Sequence, residues 1–339
     1  MQEENKTYNP LVSVIIPCYN GGKYLAETLD SVSMQSYTNW ECIVADDGST
    51  DNSKTITESY IQKESRFKYV YHVNAGPSAA RNLGIKASKG EYLLFLDSDD
   101  LIEKDKLKRQ VEVFREFPST DLVYGDMKYF TKTPDGKISL KENTDIYWKN
   151  GRISGKGDEI IPVLLKGNIM VVDSPLIKRT VFDKIGLWDT EIWFNEDWDV
   201  WTRCAISGLS FQFDDAENTD TLVRDHEDSR SRDIFKMFTH GLKVCLKIDE
   251  VVITRKYKNI IRPRIYFHQH FLDKGLLAKH AADKSQALTM ATNLYRETNL
   301  VHYLLFAWLV QNAPFFCCKV FSRTTYLFNR VKCKILYEA

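Results

Sequence analysis

The first third of the chain alternates short, almost wholly apolar runs with segments whose apolar residues recur at helical spacing. Leu11 to Ile16 reads as a buried strand, and over Lys23 to Gln35 the residues Leu25, Leu29 and Val32 share one helical face. Trp40 to Ala45 predicts a second strand and Asp51 to Lys63 a polar helix. Phe67 to Val73 and Ser78 to Ser88 repeat the unit, with Gly90 placed to end the helix. Tyr92 to Leu96 predicts a fourth strand, followed by a helix over Glu103 to Phe117. Apolar strands separated by helices imply a parallel sheet covered on both faces, so the fold class is α/β.

From Thr131 to Gly167 the pattern thins into turn-rich sequence such as Thr133-Pro134-Asp135-Gly136, read as an excursion over the sheet that carries an acceptor site. Order returns at Ile169 to Asp173, with helical spacing over Lys178 to Ile185 and Glu196 to Ser207. Beyond Ser231 the chain reads as almost entirely helical. Leu276, Leu277, His280 and Ala281, then Leu304, Leu305, Trp308 and Leu309, are expected to face neighbouring helices. The pattern divides the chain into a polar tail over 1–10, an α/β domain over 11–232 and a helical region over 233–339. Met1 to Pro10 lacks the apolar core of a signal peptide. The apolar stretch Tyr303 to Val310 is interrupted by Gln311, Asn312 and Pro314, short of the roughly 20 residues a spanning helix needs.

Lys plus Arg and Asp plus Glu each number 46, so the chain is neutral and nucleic acid is not an expected partner. The 7 cysteines are an odd, scattered set without CxxC spacing, which disfavours both a disulfide framework and a zinc site. Reduced thiols in a cytoplasmic setting are the expectation.

Ligands of open parallel sheets bind outside the carboxyl ends of the strands. Four such ends carry unusual sequence: Pro17-Cys18-Tyr19-Asn20, Asp46-Asp47-Gly48-Ser49, Asn74-Ala75-Gly76-Pro77 and Asp97-Ser98-Asp99-Asp100. Neither GxGxxG nor GxxxxGK[ST] is present, so the chain lacks the dinucleotide fingerprint and the P-loop. The cleft is acidic instead, and carboxylates hold a phosphate only through a cation. Asp97 and Asp99 point to one side of a strand end and suit Mg²⁺ or Mn²⁺; taken alone, Asp99 or Asp100 reads first as a cap of the next helix, and the other three loops turn the reading to metal binding. Tyr19 can stack on a nucleobase or simply pack, and Asp47 can accept a base N–H or close an Asx-turn. Arg81, near a helix start, can reach a diphosphate or make a surface ion pair.

A second constellation is Trp193-Phe194-Asn195-Glu196-Asp197-Trp198-Asp199. It reads as a helix start, and also as a carboxylate flanked by aromatic faces that suits a general base for a sugar hydroxyl. Asp199 and Arg203, four apart, are expected to pair. A third is Arg224 to Arg232, where His226 and Arg230 would close over a metal diphosphate, or else form a solvated, charge-balanced loop. His268-Gln269-His270 has no matching ligand set nearby and reads as structural.

Together these motifs resemble the family 2 glycosyltransferases, the inverting group with the GT-A fold, many of which build bacterial cell-surface polysaccharides and glycoconjugates. The likeness runs from Val12-Ser13-Val14-Ile15-Ile16-Pro17-Cys18-Tyr19-Asn20 through Asp46-Asp47-Gly48-Ser49-Thr50-Asp51 and Asn74-Ala75-Gly76-Pro77-Ser78-Ala79-Ala80-Arg81-Asn82. It continues with Phe95-Leu96-Asp97-Ser98-Asp99-Asp100 and the Glu196-Asp197 pair, about two-thirds of the chain. The resemblance implies a nucleotide-diphosphate sugar donor, most often a UDP-sugar, and a saccharide or lipid-linked saccharide acceptor. Pro17, Tyr19 and Asp47 would hold the nucleoside, and Asp99, with Asp97, the metal diphosphate. Asp197 falls at the base position, with Glu196, Trp193 and Trp198 towards the acceptor.

The QxxRW-type sequence of processive synthases is absent, so single-sugar addition is expected. A silent nucleotide-sugar-binding or scaffold protein, or a nucleotidyltransferase using Asn20-Gly21-Gly22-Lys23 as a phosphate loop, is the alternative. At the C-terminal end Lys319, Arg323, Arg330, Lys332 and Lys334 interleave with Phe315, Phe316, Phe321, Tyr326 and Phe328. That composition suits an anionic membrane surface, or a helical packing or oligomer contact.

Overall fold

A computed structural model describes residues 8–141, 151–313 and 317–322. The described residues form two compact units, one of residues up to 164 with 168–229, the other of 165–167 with 230 onwards.

The first unit begins with β1 (Val12–Cys18), α1 (Leu25–Ser33), β2 (Trp40–Asp46), α2 (Ser53–Lys63), β3 (Phe67–Tyr71), α3 (Pro77–Ala87) and β4 (Tyr92–Phe95). Then follow β5 (Leu101–Ile102), α4 (Lys106–Glu116), β6 (Leu122–Tyr124), β7 (Met127–Lys132) and β8 (Ile138–Leu140). It closes with α5 (Ile161–Leu164), β9 (Leu176–Lys178), α6 (Thr180–Ile185), α7 (Glu196–Ile206), β10 (Phe211–Phe213) and β11 (Thr221–Arg224). The main sheet has the order β10-β6-β9-β4-β1-β2-β3, and a smaller one the order β5-β11-β7-β8. β4, β1, β2 and β3 are mutually parallel, whereas β9 runs antiparallel to both β4 and β6. The strands and helices expected in the first third are all present, with ends displaced by up to a few residues; β3, for instance, stops at Tyr71 rather than Val73. Ile169 to Asp173, by contrast, forms turns, and the strand there comes later, at Leu176–Lys178.

Alternation along β1 explains the two-sided cover. Val12, Val14 and Ile16 join Leu25, Leu29 and Val32 of α1 and Leu107, Val111 and Phe114 of α4 in one core. On the other face Phe95 packs edge-on against Phe182 and Trp188, at 5.6 and 4.9 Å between ring centroids. Ile15 there meets α3 at Gly84, where a Cβ would lie 2.3 Å from Ile15 Cγ2. Only glycine lets α3 sit that close to the sheet.

The second unit holds α8 (Ile234–Val251), α9 (Arg255–Ala282), α10 (Lys284–Thr298) and α11 (Val301–Asn312). Asp233, Thr254 and Asp283 cap the first three by accepting backbone N–H groups. In α9, Ile261, Ile265, His268, Leu272 and Leu276 form the buried stripe, so His268 is structural; its Nδ1 lies 3.1 Å from the Phe238 carbonyl oxygen. In α11 the expected face is wrong. Tyr303, Phe306, Ala307 and Val310 are buried, while Leu304, Leu305 and Trp308 face outwards. No described helix is long and apolar enough to cross a membrane. Cys18, Cys42, Cys204, Cys245, Cys317 and Cys318 are free thiols. Of the basic and aromatic residues picked out near the C-terminus, only Lys319 and Phe321 lie within the described residues.

Gly84→Val forces the branched side chain into Ile15 and should lower stability by about 1–3 kcal/mol. Urea denaturation against wild type measures this; an unchanged midpoint would contradict the close α3–β1 contact.

Candidate active site

Loops from the carboxyl ends of β1, β2, β3 and β4 are laced to one another by short-range polar contacts. Ile15 accepts from Leu96 N–H at 3.0 Å, so alternate residues of β1 face β4. Pro17 is the next residue on that side, beyond the last register pair Ile15–Phe95, and its missing N–H leaves no ladder bond unmade. Tyr19 follows and is exposed. Asn20, at φ 51°, accepts from Thr50 N–H at 2.8 Å and donates its own N–H to Ser49 Oγ at 2.9 Å, tying the first loop to the second.

Asp47 is buried, and its two oxygens accept the N–H groups of Ala75 and Gly76 at 2.8 and 3.0 Å. It therefore fixes the β3–α3 loop from below. Trp193 fixes it from above: a Cβ on Gly76 (φ 92°) would lie 2.9 Å from the Trp193 ring. Trp193 thus sits against the loop that Asp47 anchors.

The acidic loop after β4 is held by one buried cation. Arg81, carried on α3 and 1% exposed, donates from Nη1 to Glu196 Oε1 and from Nη2 to Asp97 Oδ1, both at 2.8 Å. Its guanidinium also covers the Trp188 ring at 4.9 Å. Burial works against its charge, but Asp97 and then Glu196 more than offset this and keep the guanidinium protonated. Both terminal nitrogens are engaged inside the protein. Arg81 is thus a buried bridge rather than a surface ion pair.

Asp97, Asp100 and Asp173 bring carboxylate oxygens within 4.8 Å of one another, a spacing that suits a cation. Asp173 also accepts Asp97 N–H at 2.8 Å. Burial, then Asp97, pushes the Asp173 carboxyl up to about 8, and burial, then Asp173, raises Asp100 well above the carboxylate range. These two buried groups share a hydrogen bond, and burial disfavours the charged form of each.

Asp99 points the other way, with its Oδ2 2.8 Å from His226 Nε2. Burial, then Asp97, raises its pKa, and His226 draws it back. In this structure the two groups are hydrogen-bonded to each other. Both are of types that can ligate a divalent ion, and a mixed oxygen and nitrogen donor set suits Mn²⁺. Arg224 secures this corner: its N–H goes to Asp100 Oδ1 and its Nε to the Asp99 carbonyl, each at 2.7 Å. Its Nη2 reaches Glu27 at 2.7 Å, and its guanidinium lies 4.5 Å from the Tyr24 ring and 4.6 Å from Phe130.

α7 opens after Asn195, whose left-handed backbone (φ 59°) turns the chain abruptly into the helix. Glu196 faces Arg81. Asp197, partly buried, accepts from Asn168 Nδ2 and from Trp198 N–H, both at 2.7 Å. Burial, then Glu196, pushes its carboxyl up to about 7, against the pull of Asn168, the Trp198 amide and Arg81. Asp199 pairs with Arg203 at 2.9 Å, as the spacing predicts. Trp198 is 2% exposed and donates Nε1–H to the Leu164 carbonyl at 2.7 Å. It is a core side chain, not a wall of the acceptor side.

The structure thus groups Asp97, Asp99, Arg81, Glu196 and His226, with Asp47 and Tyr19 on the adjoining loops. Arg230 lies in the second unit, opening the single turn Arg230–Arg232. Sequence reasoning passed over Asn168, Asp173 and the role of Arg224. Asp173 closes the apolar run from Ile169, which was its one visible signal.

The profile described as "Glycosyl transferase family 2" matches residues 13–180, covering β1 and all four loops. An uncharacterised glycosyltransferase of Rickettsia typhi is 34% identical over 244 residues, 66% of this chain and 71% of that one. The chain belongs to glycosyltransferase family 2. Among solved structures, Staphylococcus aureus TarS 1-349 in complex with UDP-GlcNAc superposes with a TM-score of 0.62 at 19% identity, over 96% of this chain and 91% of that one. The mannosyltransferase PcManGT of Pyrobaculum calidifontis, in complex with GDP-Man and Mn²⁺, gives 0.60 at 17%, over 95% and 88%. The fold of this glycosyltransferase is therefore GT-A, with a helical C-terminal region.

In this glycosyltransferase Arg81→Met leaves Glu196 and Asp97 facing each other without a cation. The loss should be about 3–5 kcal/mol, against a much smaller loss for Arg81→Lys. Guanidinium denaturation of both variants provides the check, and equal losses would show that charge at this position is irrelevant.

Proposed function

We propose that this glycosyltransferase moves a sugar from a nucleotide-diphosphate donor, a UDP-sugar, to a hydroxyl of a saccharide or lipid-linked saccharide in one inverting displacement. The observation that carries the reading is the Arg81 bridge, which ties the acidic loop after β4 to Glu196, the residue before Asp197 at the start of α7. The UDP-GlcNAc and GDP-Man complexes of the two structural neighbours support a nucleotide-sugar donor for this fold.

Tyr19, exposed beside the Asp47-anchored loop, would stack on the base, and Pro17 and Asp47 would shape the floor beneath the nucleoside. Asp99 and His226 would hold Mn²⁺ or Mg²⁺. When bound, such an ion neutralises the charge that develops on the leaving diphosphate. In the transfer the acceptor oxygen bonds to the anomeric carbon as the carbon–oxygen bond to the diphosphate breaks. The electron pair leaves with the nucleoside diphosphate, and the acceptor proton passes to Asp197. Glu196, the residue before that carboxylate, and Trp193, four positions before it, would border the acceptor side. Free thiols fit a cytoplasmic setting.

Asp197 is poised to take a proton because its pKa, about 7, lies near neutral pH. The carboxylate is the active form, so transfer should fall as pH drops through about 7 and level off above it. Asp197→Asn keeps the shape and can keep one of the two hydrogen bonds from Asn168 and the Trp198 amide, but removes the acceptor for the proton. It should lower turnover roughly 10²-fold or more with donor affinity near normal. Retained turnover with lost donor affinity would make Asp197 a binding residue.

Asp99→Ala and His226→Ala should each weaken Mn²⁺-dependent UDP binding, read by calorimetry with and without chelator, while the thermal midpoint stays close to wild type. Binding by Asp99→Ala that is as tight in chelator as wild type is in Mn²⁺ would remove the assignment.

A further inference from the structure

Two faces of α11 are apolar, and only one is used. Tyr303, Phe306, Ala307 and Val310 are buried within the helical unit. Val301, Leu304, Leu305 and Trp308, spaced i, i+3, i+4 and i+7, form a stripe that is 60, 47, 49 and 60% exposed. Between Val301 and Asn312 the helix carries no Asp, Glu, Lys or Arg, so nothing charged interrupts the stripe. A helix that is apolar on every side normally lies wholly inside a protein or against a second apolar phase.

The charge that follows the stripe in sequence indicates which phase. Residues 313–339 hold Lys319, Arg323, Arg330, Lys332 and Lys334 against Glu338 alone. The whole chain is neutral, so the rest of it carries the opposite sign. A second copy seated on the stripe would bring two like-charged segments together. A bilayer with anionic headgroups would instead receive the apolar stripe in its interface and the basic segment at its surface. Spanning is excluded for this helix: 12 residues at about 1.5 Å each reach about 18 Å, short of the roughly 30 Å hydrocarbon core.

We infer that Val301, Leu304, Leu305 and Trp308 form a docking face that lies in the plane of an anionic lipid surface, held by the basic segment that follows. Attachment of this kind is reversible and weakened by salt.

The test uses the full chain and sedimentation with two vesicle types, phosphatidylcholine alone and phosphatidylcholine with about one-third phosphatidylglycerol. The protein should pellet with the anionic vesicles at low salt and be released at high salt. The triple variant L304Q/L305Q/W308Q should partition at least about tenfold less, with an unchanged circular dichroism spectrum. Lys332→Glu with Lys334→Glu leaves the stripe intact and should lower low-salt binding on its own. It decides the matter if the triple variant does not fold. Wild-type protein that stays in the supernatant at low salt would overturn the inference. So would a charge-reversal variant that binds like wild type. A dimer in sedimentation velocity that the triple variant converts to monomer would assign the stripe to a second copy.

Discussion

The site depends on one buried guanidinium. Arg81 stands between two carboxylates, each 2.8 Å away, that belong to segments far apart in the chain. Burying an arginine is unfavourable unless its charge is met, and burying carboxylates without a cation is worse. The pair of contacts resolves both demands at once. It also fixes, as a consequence of charge balance, how the end of β4 stands relative to the start of α7.

Around that cation the protein gathers more negative charge than Arg81 can neutralise. Asp97, Asp99, Asp100, Glu196 and Asp197 lie on the loop and helix start it joins, and Asp173, from the segment before β9, accepts the Asp97 N–H. The surplus is handled in three ways. Asp100 and Asp173 are buried and share a hydrogen bond, their pKa values raised first by burial and then by neighbouring aspartates. Asp99 turns towards His226, and Arg224 clamps the backbone beneath it. Asp197 is left near neutrality between ionised and protonated forms, with Asn168 and a backbone N–H stabilising the charge. A proton acceptor and a place for a cation are therefore two results of the same crowding.

Much of this was legible beforehand because it is local. The apolar runs that end in Pro17, Asp46, Asn74 and Asp97 mark strand ends, and parallel strands put those ends on one edge. What failed was what depends on distant partners or on helix phase. Nothing near Arg81 in sequence announces Glu196, 115 positions away. Asn168 follows a stretch with little periodicity, so no pattern pointed to it. Trp198 is three residues from Trp201 and both are buried, a spacing that could have marked it as core. For α11 the pattern is ambiguous in principle, because residues 303, 306, 307 and 310 and residues 301, 304, 305 and 308 satisfy the same helical spacing. Only the packed structure distinguishes the face that is covered from the face that is not.

The central claim is that Asp197 accepts the proton and that its environment sets when it can do so. The most direct measurement is the pH dependence of the transfer rate at saturating donor in Asn168→Ala. Asn168 donates to the ionised form of Asp197 at 2.7 Å, so its removal destabilises the carboxylate and raises the pKa. The acidic limb should move to higher pH than the wild-type midpoint near 7, with the alkaline plateau retained. An acidic limb that stays in place when Asn168 is removed would mean that some group other than Asp197 takes the proton.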